Sequence, residues 1–109
     1  MSWKIVYSEE AQRDIRSLDK SKRVRVSKAI ERVSQNPLPF TEGGYGKPLG
    51  NKNGRNLTGV NKIVLKGDGL RVAYEVLRTE TTMLIIVVGV RTDEEVYELA
   101  ARRIQSKTI

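Results

Sequence analysis

The chain contains no cysteine and no histidine. Without cysteine there are no disulfides, no thiol nucleophile and no thiolate zinc site. Without histidine the commonest general base and the commonest metal ligand are missing. No Ser-His-Asp set, no paired carboxylates in a plausible cleft and no metal cluster can be assembled, so acyl transfer, glycoside hydrolysis and metal-dependent hydrolysis lack their parts. No cofactor and no metal are expected. The apolar run Met83 to Val90 is far too short to span a bilayer. Ser2 to Tyr7 is too short for a secretory leader and is followed at once by acids. A soluble cytoplasmic protein without a membrane partner is expected.

The 109 residues suit one domain over 1–109, and 39% hydrophobic residues suffice for a modest core. Lys and Arg number 20 against 13 Asp and Glu, a formal net charge of +7. That balance favours a polyanion or an acidic protein as partner and says nothing of the fold.

Three strand-like runs organise the chain: Leu57 to Lys66, Leu70 to Arg78 and Met83 to Arg91. Asp68-Gly69 is a two-residue hairpin signal between the first two, and Thr79 to Thr82 is a short polar gap before the third. Two successive hairpins make an antiparallel meander. Side chains alternate along strands, so Leu70, Val72, Tyr74 and Val76 share one face and Arg71, Ala73 and Glu75 the other. With the turn at Asp68-Gly69, Lys66 faces Arg71, Val64 faces Ala73, Lys62 faces Glu75, Leu65 faces Val72 and Ile63 faces Tyr74. In the third strand, pairing Arg78 with Thr82 sets Ile86 beside Tyr74, Val88 beside Val72 and Gly89 beside Arg71. This register predicts one apolar face and one open face bearing Lys62, Lys66, Arg71 and Arg91, with Gly89 leaving room there for a ligand backbone.

Upstream, Ser2 to Tyr7 reads as a strand with Trp3, Ile5 and Tyr7 on one face. Ser8 is an N-cap for a helix over Glu9 to Leu18. A break near Asp19 and Ser21 leads to a second helix over Lys22 to Gln35, with Val26, Ala29, Ile30 and Val33 as its buried stripe. The two form an antiparallel hairpin. The second helix carries Arg25, Lys28 and Arg32 among its many cations, either a solvated face or a landing surface for nucleic acid. Pro37 to Gly54 reads as a loop that is either a flexible wall or a tolerated insertion. Thr92 to Glu95 has capping-box spacing for a helix over Asp93 to Gln105, and Ser106 to Ile109 is expected to fray. Trp3 and Tyr74 are assigned to the core. The fold class is α+β: N-terminal strand, helical hairpin, three-stranded meander, C-terminal helix.

Cations with a nearby tyrosine on a rigid sheet suit a phosphodiester. RNA supplies its own nucleophile, the 2′-hydroxyl. The protein then has to align the strand, neutralise the phosphorane and move protons. Guanidinium forks match phosphate oxygens.

The runs KIVLKGDGLRVAYEV and VGVRTDEEVYELAARRI resemble the RelE/ParE superfamily of bacterial toxins, closer to the RelE branch of ribosome-dependent mRNA interferases. The order of elements matches that fold over nearly the whole chain. The resemblance implies a small RelE-like domain and an endoribonuclease acting on mRNA in the ribosome, with rRNA contacts and a cognate antitoxin as partner. It implies that Lys62, Arg71, Arg91 and Tyr97 bind the scissile phosphate, transfer protons and stack on a base. Lys66, Lys28, Arg25 and Arg32 are the expected further RNA contacts. Val64 stands where RelE carries a second lysine, which leaves the general base open. Lys62 leads, on the expectation that neighbouring cations lower its pKa, although a bound phosphate pushes the other way. Plainer readings stand beside these: Lys62 paired with Glu75 across the strands, Arg71 as an ordinary exposed residue, Arg91 guarding a strand end, Tyr97 packing on the sheet. Two alternatives for the whole protein are a ParE-like gyrase inhibitor that acts by binding and a degenerate domain that only binds its antitoxin.

Overall fold

The computed structural model of the chain describes residues 2–52, 55–67 and 69–105. Strand β1 is Lys4–Tyr7, followed by helices α1, Glu9–Arg16, and α2, Lys20–Val33. Then come β2, Lys47–Lys52; β3, Arg55–Leu65; β4, Leu70–Leu77; β5, Thr82–Val90; and helix α3, Asp93–Gln105. The strands form one sheet in the order β1-β5-β4-β3-β2, with β1 parallel to β5 and the other pairs antiparallel. The expected α+β architecture is therefore present, with the additional strand β2. The expected fraying of Ser106 to Ile109 concerns residues outside the described ones.

Local sequence explains the helix boundaries. The Ser8 side chain accepts from the Ala11 N–H at 3.1 Å and so caps α1. Asp19 caps α2 by accepting from the Lys22 N–H at 2.9 Å. That bond, with those from the Lys22 and Ser21 side chains, holds the Asp19 carboxyl down at about 2. Helix α2 therefore starts two residues before the expected point. In α3 the capping box closes in both directions: Thr92 N–H donates to Glu95 Oε1 at 2.8 Å, and Glu95 N–H to Thr92 Oγ1 at 3.2 Å.

The stretch read as a loop from Pro37 to Gly54 holds β2 instead. It pairs Lys47 with Lys62 and Gly50 with Leu57, with a bulge between Pro48 and Gly50. Proline and glycine hid this strand, but both are tolerated on an outermost strand interrupted by a bulge. The part of that stretch before β2 is fastened down. The buried Tyr74 hydroxyl donates to the Pro37 carbonyl at 2.7 Å. A Cβ on Gly46 would lie 2.5 Å from the Tyr74 oxygen, so glycine is required there.

The meander is as expected in order but not in register. Val64 pairs with Arg71, Lys62 with Ala73 and Leu65 with Leu70. Compared with the expected pairing, β3 is displaced by two residues. Residues 66–69 form the connection; Asp68 is outside the described residues, while Gly67 and Gly69 adopt φ of +111° and +74°. A two-residue shift conserves parity, so each side chain stays on its expected face. Between β4 and β5, Gly89 pairs with Arg71 and Val88 with Val72, as expected. A bulge at Ala73/Tyr74 then sets Ile85, not Ile86, opposite Tyr74.

Both faces of the sheet are covered. On one, α1 and α2 supply Ala11, Val26, Ile30 and Val33 against Val72, Tyr74, Met83 and Ile85. On the other, α3 lays Val96, Tyr97 and Ala100 over Val60, Ala73, Ile86 and Val87. The predicted open face is thus largely closed by α3, because its apolar stripe needs the sheet. Trp3 is only half-buried and stands outside both clusters, contrary to expectation.

Beyond Ile85, β1 no longer pairs with β5. An ion pair takes over that edge. Asp14 of α1 accepts from the Val88 N–H at 2.9 Å, and Arg103 of α3 donates to the Ile86 carbonyl at 2.7 Å. The two side chains bind each other at 2.7 and 3.1 Å, both mostly buried. Removing one member leaves the other charge and a ladder group without its partner. Asp14→Ala is expected to cost about 3 kcal/mol. Urea unfolding tests this: Asp14→Ala and Arg103→Leu should each lower stability, and the double variant should lose less than the sum of the two.

Candidate active site

Lys62 and Arg71 sit on adjacent strands and point to the α3 face, as alternation requires. Helix α3 begins immediately after β5, and Asp93 and Tyr97 stand four residues apart on one side of it. Asp93 reaches both cations. Its Oδ1 accepts from Arg71 Nε at 2.7 Å and its Oδ2 lies 3.2 Å from Lys62 Nζ. Lys62 Nζ also donates to the Tyr97 hydroxyl at 3.2 Å and lies 5.4 Å from the centre of that ring. Arg71 Nη1 donates to the carbonyls of Gly69, at 3.2 Å, and Arg91. The Arg71 Nη2 group makes no hydrogen bond among the described residues. The Lys62 and Arg71 side chains are 16% and 22% exposed, while Asp93 is 46% exposed.

Lys62, Arg71 and Tyr97 are therefore brought together. Arg91 joins through its main chain: its carbonyl receives Arg71 and its N–H donates to the Gly69 carbonyl at 3.2 Å. Its side chain folds over Gly89, where a Cβ would lie 3.2 Å from Arg91 Nε, and that Nε is buried with no hydrogen-bond partner among the described residues. The space left by Gly89 is filled by Arg91 itself rather than open to a ligand. Beyond Gly89, the Arg91 side chain lines a shallow groove with Glu95, Glu98 and Arg102. The Tyr97 ring is 6% exposed and packs on the sheet, so its hydroxyl, not its face, reaches the cluster. Lys62 lies opposite Ala73, and its carboxylate partner is Asp93 rather than Glu75.

The electrostatics of Lys62 run opposite to expectation. Burial alone pushes its pKa down, but the Tyr97 hydroxyl and the Asp93 carboxylate together outweigh burial and hold it above the ordinary lysine value. The neighbouring Arg71 charge is neutralised by Asp93, so it does not drive Lys62 toward the neutral form. Burial raises the Asp93 pKa, yet hydrogen bonds from Arg71 and Lys62 bring it below the usual carboxylate range. Across neutral pH the lysine is a cation and the carboxyl an anion.

The further cations are distributed differently. Lys66 is exposed in the β3–β4 connection, and the bonds of the cluster do not involve it; its carbonyl accepts from Arg25 at 3.0 Å. Arg25, Lys28 and Arg32 lie on α2, which covers the opposite face from Lys62. The two sets communicate around the sheet edge. Strand β2 begins at the Lys47–Lys62 pair, and before it a groove of about 310 Å³ is lined by Arg32, Val33, Tyr45, Lys47 and Lys62. The Arg32 guanidinium lies 6.0 Å from the centre of the Tyr45 ring.

Asp93 was not anticipated as a site residue. Its signal was nevertheless present in the sequence: it precedes Tyr97 by four residues and follows a strand whose Gly89 was matched to Arg71.

No family model matches the chain. It is 24% identical over 106 residues to a RelE-like toxin protein of Escherichia coli, covering 96% of this chain and all of that one. A solved structure of a double arginine-to-alanine mutant of Escherichia coli RelE in the free state matches with a TM-score of 0.73 at 25% identity, over 95% of this chain and 99% of the other. The RelBE2 toxin–antitoxin complex from Mycobacterium tuberculosis matches at 0.64 and 23% identity, over 85% and 95% of the two chains, a likeness of fold. The chain thus has the fold of the RelE/ParE toxin superfamily. The chains that it resembles here are RelE and RelE-like toxins.

The ionisation of the bridge can be measured directly. A carboxyl with a depressed pKa contributes stability above its unfolded value and loses it as the pH falls through the folded value; a lysine with a raised pKa contributes below its unfolded value and loses it as the pH rises through the folded one. Carbon-detected NMR should show Asp93 titrating below free aspartate and Lys62 above free lysine. Lys62→Met should raise the Asp93 value, and Asp93→Asn should lower that of Lys62. Unchanged values in both variants would mean the bridge does not persist in solution.

Proposed function

We propose that the protein is the toxin of a type II toxin–antitoxin pair, an endoribonuclease that cuts mRNA on the ribosome in the cytoplasm. The observation that supports this reading is the cluster of Lys62, Arg71 and the Tyr97 hydroxyl on a RelE-type scaffold. The free Nη2 of Arg71 is a donor for phosphate oxygens, and Arg91, which lines the groove beside Gly89, adds a second guanidinium. Lys62, cationic at neutral pH, stabilises the developing charge and can protonate the departing 5′ oxygen. The 2′-hydroxyl attacks its own phosphate, leaving a 2′,3′-cyclic phosphate and a 5′-hydroxyl, with the charge on the phosphorane met by side chains rather than by an ion. The groove running from Lys62 past Lys47 to Arg32 offers a cationic track with an aromatic ring for the flanking strand. The helix α2 cations and Lys66 add longer-range attraction to ribosomal RNA.

Losing one well-placed donor typically costs about 10²–10³ in rate, so Arg71→Ala and Arg91→Ala should each abolish toxicity with the fold intact. Toeprinting should show breaks in ribosome-bound mRNA and few in free RNA. Unimpaired translation together with inhibited DNA supercoiling would assign the chain to the gyrase-binding alternative.

The M. tuberculosis chain of similar fold comes from the RelBE2 toxin–antitoxin complex. For this chain the expected partner is an acidic, partly disordered antitoxin bound by charge and by apolar contact, as a helix in a groove or an added strand. Affinity is expected to be nanomolar or better and to weaken with salt. Native mass spectrometry of the co-expressed pair should find the complex, and a chain that purifies alone beside its neighbouring gene's product would contradict it.

A further inference from the structure

We infer that Asp93 is the general base of the cleavage step, the group that takes the proton from the attacking 2′-hydroxyl. The inference rests on the ribonuclease reading above and settles the role left open by Val64.

Three observations carry it. First, the cluster otherwise consists of donors. Lys62, Arg71 and Arg91 are cations, and the Tyr97 hydroxyl already receives the Lys62 proton and is nearly buried. Asp93 contributes the carboxylate, and it is the most exposed member of the bridge, at 46% against 16% and 22% for Lys62 and Arg71. Second, each carboxylate oxygen uses one lone pair on the bridge, Oδ1 to Arg71 Nε and Oδ2 to Lys62 Nζ, which leaves a lone pair on each for the substrate. Third, Arg71 spends Nε and Nη1 on the protein and keeps Nη2 for the phosphate. The same guanidinium therefore fixes both the base and the phosphorus that the activated oxygen attacks.

The step balances without redox chemistry. The 2′-O–H proton moves to Asp93 as the 2′ oxygen bonds to the adjacent phosphorus. The P–O5′ bond breaks, and the 5′ oxygen takes a proton from the Lys62 ammonium. Asp93 is then protonated and Lys62 neutral. The 3.2 Å contact between Oδ2 and Nζ returns the proton to the lysine and resets both groups. Lys62, held protonated by the Tyr97 hydroxyl and Asp93, enters the step as a proton donor and not as a base.

The test is single-turnover cleavage of ribosome-bound mRNA, compared with binding of the same mRNA blocked by a 2′-deoxy substitution at the scissile position. A second substrate carries sulfur in place of the bridging 5′ oxygen, a leaving group that needs no proton. Loss of a general base costs about 10²–10⁴ in rate. Asp93→Asn should therefore be slower by that factor on both substrates, with binding of the blocked mRNA unchanged. Lys62→Met should be slow on the oxygen substrate and recover on the sulfur one. Asp93→Glu, which restores a carboxylate, should regain part of the rate, and thermal melting of each variant confirms the fold. An Asp93→Asn protein that cleaves at the parental rate, or binds more tightly and cleaves faster, overturns the inference and leaves the ribonuclease reading intact. So does a binding loss as large as the rate loss, which would make Asp93 only a positioning residue for Arg71. A wild-type protein that cuts no ribosome-bound mRNA overturns both.

Discussion

The Asp93 carboxylate held between Lys62 and Arg71 is the interaction on which the rest of the site depends. Two cations on adjacent strands, pressed beneath a helix, repel each other and resist desolvation unless an anion lies between them. Asp93 supplies it from the first turn of α3. The helix that closes this face of the sheet is thus also the element that organises its charge. The bridge determines which nitrogens of Arg71 are occupied and which remain available, and it keeps Lys62 protonated.

The sheet provides the fixed frame. Strands β3, β4 and β5 carry Lys62, Arg71 and Gly89 in register, and Val96, Tyr97 and Ala100 seat α3 across them. Helix α3 is held by charge at both ends, by Asp93 near its start and by Arg103 near its finish. Arg103 does two jobs with Asp14: it ties α3 to α1 and completes the edge of β5 where β1 stops. A shift of α3 along the sheet would break the Asp93 bridge and the Tyr97–Lys62 hydrogen bond together, so stability and site geometry are coupled through one helix.

Much of the fold was legible in the sequence because its signals are local. Alternation in Leu70 to Val76, the Ser8 cap and the Thr92–Glu95 capping box each predict an element that the structure contains. Strand β2 was not legible, because Pro48 and Gly50 mask a strand that exists only through pairing with β3. Register was legible only to parity: the faces of Lys62 and Arg71 were right although their partners were displaced by two residues. Burial by α3 was the larger surprise. The face was read as open because its cations dominate the sequence, but Ala73, Ile86 and Val87 on the same face give α3 an apolar bed. The site followed the same division. Lys62, Arg71 and Tyr97 meet in one cluster, whereas Asp93, which the resemblance does not single out, was recognised only through its bonds to Lys62 and Arg71.

The most direct measurement is a cryo-EM structure of the protein on a ribosome programmed with mRNA blocked by 2′-deoxy substitution at the scissile position. The account predicts that the scissile phosphate lies within hydrogen-bond distance of Arg71 Nη2 and Lys62 Nζ, with the blocked 2′ carbon facing Asp93. A bound protein whose Lys62–Asp93–Arg71 cluster is turned away from the mRNA, or no ribosome-bound protein at all, would contradict it.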